Sequence, residues 1–99
     1  MPMTSGQISG DAPGPVGESI ARTLERRFAP SRLEVLNESH LHSGHAGHDG
    51  SGESHFRVRI RSREFEGMNR VAIHRAINAA LADQLRTVHA LAIDAAARD

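Results

Sequence analysis

Apolar residues recur at every fourth position in the second half of the chain: Ile73, Ile77, Leu81 and Leu85, with Ala76 and Ala80 beside them. At about 3.6 residues per turn this spacing gathers one apolar stripe, and it predicts an amphipathic helix within residues 65–91. Arg70, His74 and Asn78 form a polar row on another face. The Asn69 side chain can accept from a backbone N–H of the first turn, which makes it the expected N-cap. Neither Pro nor Gly interrupts residues 69–86, so the helix is expected to fill that span. Residues 87–93 are short and partly β-branched and predict a strand, with His89 just inside it.

The same periodicity appears earlier. Val16, Ile20, Leu24 and Phe28 mark a first amphipathic helix, with Glu18, Arg22, Glu25 and Arg26 on its polar side. Pro30 should stop it, because a residue before proline is pushed out of helical space. Leu33, Val35 and Asn37 then alternate with Glu34, Leu36 and Glu38, a short strand. The clearest strand covers residues 55–62, where Phe56, Val58 and Ile60 alternate with Arg57, Arg59 and Arg61. Antiparallel pairing of these two strands would set Glu34 and Glu38 across from the arginines. The order is helix, strand, strand, helix, strand (α-β-β-α-β), with both helices on one face of the sheet. This is an α+β two-layer sandwich.

Composition narrows the picture. Ninety-nine residues make one small domain, and with three Phe and no Trp or Tyr its core must be aliphatic. Residues 1–15, rich in Gly, Pro and Ser, offer little to bury and are expected to form a disordered tail ahead of a domain at 16–99. Net charge is zero, which argues against a generally basic nucleic-acid binder but leaves a local basic face open. The absence of cysteine excludes disulfides, thiolate metal sites and thiol catalysis. No leader or membrane span is evident, so a cytoplasmic protein, a monomer or weak homodimer by itself, is the expectation.

Two features carry candidate chemistry. Four of the seven histidines, His40, His42, His45 and His48, sit in a glycine-rich loop between the first two strands. Neutral imidazole suits zinc, copper, nickel and iron, so the loop is either an adventitious metal binder or the source of one defined ligand. The other feature is the Arg57, Arg59 and Arg61 row, either a solvated face neutralised by its neighbour strand or a phosphate-binding face. His55 reads as a strand-end packing residue and His74 as a polar helix-face residue. His89 at the start of a strand can simply bond a backbone group and fill space.

Several pieces together resemble the BolA family. They are Asn37-Glu38-Ser39 before the histidine loop, Glu53-Ser54-His55-Phe56 opening the second strand, and Phe65-Glu66-Gly67 before the long helix. His74-Arg75 within that helix and Val88-His89-Ala90-Leu91 on the last strand complete the set. The resemblance covers residues 19–93. It implies a class II KH-like (BolA-like) fold in the element order given above. It also implies a monothiol glutaredoxin as partner, with a bridging [2Fe-2S] cluster held by the glutaredoxin cysteine, a glutathione thiol and histidines of this chain. The family's last-strand ligand falls on His89. Its loop ligand falls on His42, with His40, His45 and His48 as competitors. Two departures stand out: Ile73 replaces the arginine that usually precedes the helix histidine, and the chain leaves little room for the family's C-terminal helix.

The leading expectation is therefore a non-enzymatic adaptor in iron–sulfur cluster trafficking or iron regulation. Imidazoles replace thiolates on one iron of Rieske centres, so a contribution from histidine alone is chemically reasonable. The alternative is a DNA-binding transcriptional regulator that uses the KH-like fold, with Arg57, Arg59, Arg61, Arg70 and Arg75 on phosphates. Zero net charge and the lack of an aromatic stacking platform count against it. Catalysis is not expected, since no nucleophile has a recognisable base beside it and no glycine-rich phosphate loop follows a strand.

Overall fold

A computed structural model describes residues 7–8, 14–39 and 55–99. The first helix, α1 (Gly14–Phe28), buries Ile20, Leu24 and Phe28 as its four-residue spacing requires. It gives way to Ala29 and the buried Pro30 before β2 (Arg32–Asn37) begins. An antiparallel partner, β3 (His55–Arg61), pairs with β2 along its whole length, setting Leu33 against Ile60, Val35 against Val58 and Asn37 against Phe56. Because side chains alternate across a strand, this register places Val58, Ile60, Leu33 and Val35 on one buried face. The second helix, α2 (Arg70–Ala80), carries the chain over that face to β4 (Ala90–Ala96), which lies parallel to β3. At the other edge the backbone of Gln7–Ile8, here β1, runs parallel to Glu34 and Val35. The sheet order is β1-β2-β3-β4, and the two helices cover the same side of it.

The expected tail lies mostly outside the described residues; those described within it are the two of β1 and the first two of α1. The histidine loop, with His40, His42, His45 and His48, also lies outside them.

Two sequence expectations need correction. The long helix ends at Ala80, not near Arg86; a turn and a single 3₁₀ turn, Gln84–Arg86, follow it. Extending α2 would put the Asp83 carboxylate in its last turn, where it opposes the helix dipole. The Gln84 side chain is instead drawn to α1, its Nε2 donating to Ser19 Oγ at 2.8 Å and Thr23 Oγ1 at 3.0 Å. The last strand starts at Ala90, so His89 stands just ahead of it rather than within it. Thr87 closes the 3₁₀ turn by donating its N–H to Gln84 O at 3.2 Å, so it contributes nothing to the ladder. Asn69 caps α2 as expected, accepting from the Ala72 N–H at 2.8 Å.

Candidate functional site around His89

Pairing in the parallel ladder begins with His55 opposite Ala90, so His89 falls beside the first residue of β3. The two imidazole rings lie nearly parallel, 12° between planes, with centroids 6.1 Å apart. That separation lies within the range of offset aromatic pairs. Their exposures differ sharply. His55 is buried, at 8% of its possible exposure, whereas His89 is exposed beside a shallow depression of about 250 Å³ lined by Arg86, Thr87, Val88 and His89.

The backbone under both rings is held firmly. Asn37 Oδ1 accepts the Ser39 N–H at 2.9 Å, the local bond to which a short amide side chain is suited. Ser39 Oγ in turn accepts the His55 N–H at 3.1 Å, and the Glu38 N–H donates to His55 O at 2.8 Å. Asn37-Glu38-Ser39 thus clamps the start of β3. On the other side Val88, the residue before His89, is buried in the core, and Gln84 ties the preceding turn to α1. His89 is thus an exposed imidazole next to a buried residue on one side and to the clamped start of β3 on the other.

The other predicted site residues lie elsewhere. Arg57 Nε donates to Glu38 Oε2 at 3.0 Å, and Arg59 Nη1 approaches Glu34 Oε1 at 3.4 Å. Arg61 bridges Asp94 at 3.4 Å and Asp99 at 3.3 Å, and its Nη1 donates to Asp94 O at 3.1 Å. The Arg61 Nε is buried without a hydrogen bond, so its approach to Asp99 is an ion pair of poor geometry. The sheet's arginine row is therefore neutralised in place. Arg70 and Arg75 are exposed on α2, away from that row, and have no ion pair among the described residues. Among the described residues no three His, Asp or Glu side chains converge on a common metal position, so a metal at His89 would need donors from elsewhere. A chain without cysteine can offer no thiolate to such a site. One accessible imidazole from a firm backbone fits the part of a histidine-ligated iron, provided the thiolates come from other molecules.

The sequence missed the contact of His55 with His89 and the bond from Ser39 that fixes it. The available signal was Asn and Ser at a strand end, residues whose side chains bond nearby backbone groups.

A profile of the family described as BolA-like protein matches residues 24–99. A Sinorhizobium protein described as an uncharacterized protein in the cobS 5' region is 57% identical over 82 residues, covering 81% of this chain and 88% of its own. Human BolA-like protein 1 is 45% identical across 94% of this chain, which spans 66% of that protein's length. The Vibrio cholerae protein named DNA-binding transcriptional regulator BolA is 42% identical, covering 79% of this chain and 71% of its own. Among solved structures, the BolA domain of SufE1 from Arabidopsis thaliana superposes with a TM-score of 0.75 at 44% identity, covering 85% of this chain and 93% of that domain. With the same helices and sheet, and with a profile match over most of its length, the chain belongs to the BolA-like family.

Proposed function

We propose that this chain is a non-enzymatic adaptor that docks on a monothiol glutaredoxin and contributes histidine ligands to a shared [2Fe-2S] cluster. The observation that carries this reading is His89, exposed on a backbone fixed by Val88, Gln84 and the start of β4. His89 would hold the iron from this side. His42 would be its loop counterpart, with His40, His45 and His48 able to replace it. Having no cysteine, the chain leaves the thiolate positions to the glutaredoxin cysteine and a glutathione thiol. When bound, the cluster supplies an iron pair whose properties depend on the imidazole nitrogens replacing sulfur. A cytoplasmic location belongs to the same reading.

The test is absorbance and circular dichroism of the pair reconstituted with cluster. His89→Ala should abolish or strongly alter the mixed-ligand spectrum while the isolated domain stays folded; His42→Ala should have a smaller effect. An unchanged spectrum for His89→Ala would remove its main ligand and overturn the reading. Acidification should reduce loading, because only neutral imidazole binds iron.

The name of the Vibrio relative and the exposed Arg70 and Arg75 favour a second reading, DNA binding. The pairing of Arg57, Arg59 and Arg61 with carboxylates weighs against it. Duplex affinity at physiological salt should then stay within the non-specific range of about 10⁻⁴–10⁻⁶ M. Nanomolar, sequence-selective binding lost on replacing Arg70 and Arg75 would favour the second reading instead.

A further inference from the structure

We propose that His55 is a positioning residue for His89, its buried ring fixing the direction in which His89 presents its ligating nitrogen. The inference rests on the reading of His89 as a metal ligand. Three observations carry it. The rings are nearly parallel, at 12°, with centroids 6.1 Å apart. His55 is buried, and its backbone is bonded on both sides, by Ser39 Oγ to its N–H and by the Glu38 N–H to its carbonyl. The parallel ladder begins at His55 and Ala90, so it sets His89, one residue ahead of β4, beside His55.

The chemistry needs such a device. An imidazole lone pair lies in the ring plane, so ligation depends on the orientation of that plane as well as on the position of the side chain. An exposed histidine free to rotate would lose that freedom on meeting its partner, and the loss would weaken the complex. Resting against a buried ring, His89 has lost much of it beforehand. His55 itself is ill placed to be the ligand. It is buried, whereas the neighbouring His89 is the ring open to a metal carried by a partner.

The experiment compares His55→Phe, which keeps a ring but no ligating nitrogen, with His55→Leu, which fills the space without a ring. The first readout is nuclear magnetic resonance of the metal-free chain. Contacts between the His55 and His89 ring protons are expected in the wild type, together with a ring-current shift of the His89 protons. That shift should persist in His55→Phe and vanish in His55→Leu. The second readout is spectroscopic loading with cluster and a monothiol glutaredoxin. His55→Phe should load within about twofold of wild type, and His55→Leu at least fivefold less, with both variants folded by their amide spectra. Loss of the cluster in His55→Phe as complete as in His89→Ala would make His55 a ligand and overturn the proposal. Unchanged loading and an unchanged His89 shift in His55→Leu would overturn it as well. If either variant fails to fold, the wild-type ring contacts decide, and their absence counts against the proposal. A wild-type pair that binds no cluster would sink the functional reading, while the ring measurement still judges the role of His55.

Discussion

At φ 43°, Ala29 occupies left-handed backbone space between the end of α1 and Pro30, where a Cβ crowds the neighbouring carbonyl. Its N–H still bonds Glu25 O at 3.0 Å, closing the helix in the way a glycine normally does. Ala29→Gly should therefore stabilise the fold by about 0.5–1 kcal/mol, strain relief exceeding the added freedom of the unfolded chain. Urea denaturation would show a higher midpoint with an unchanged slope; a lower midpoint would contradict this account. Ser39 behaves in the opposite sense. Its hydroxyl accepts a buried N–H from His55, so Ser39→Ala should cost about 1–3 kcal/mol, the usual penalty for an unpaired buried donor. At this scale the sequence was only partly legible. The Asn69 cap could be read because its partner lies one turn away. The stacking of His55 on His89 could not, because it depends on which strands become neighbours in the sheet.

Among the elements, the strands and the first helix follow their periodicity closely, and Glu34 and Glu38 do pair with arginines of β3 as alternation implied. The second helix shows where periodicity misleads. Leu81 and Leu85 continue the apolar spacing, yet the helix has already ended, because an i, i+4 contact survives a turn in which the Leu85 N–H bonds Leu81 O at 2.9 Å. The turn that replaces the helix is tied to a segment remote in sequence, Gln84 meeting Ser19 and Thr23 on α1. Gln84→Ala should remove these bonds at a cost of about 1–2 kcal/mol and loosen the turn that delivers His89. Relaxation measurements on residues 84–89 would detect the added motion; wild-type relaxation in the variant would show that the turn holds itself.

The whole molecule rests on one apolar layer between sheet and helices, in which Ile77, Leu81, Leu24, Val35, Val58 and Phe65 are almost fully enclosed. Truncating Ile77 to Ala should cost about 2–5 kcal/mol, visible as a large drop in the thermal midpoint. That layer is uneven. Strands β2 and β3 each bury several residues, whereas every residue of β4 keeps some contact with solvent. Arg61 secures the far end of β4 through Asp94, and Ser62 donates its N–H to Ala96 O at 3.1 Å, but at the His89 end the inward side chains, Leu91 and Ile93, are only partly covered. Protection against hydrogen exchange follows local opening, so β4 amides should exchange well before those of β2 and β3. Any molecule that grips His89 would then act on the least protected strand, suppressing its opening. Exchange followed by mass spectrometry should show protection gained across residues 90–96 on complex formation and little change in β2, which is separated from β4 by β3.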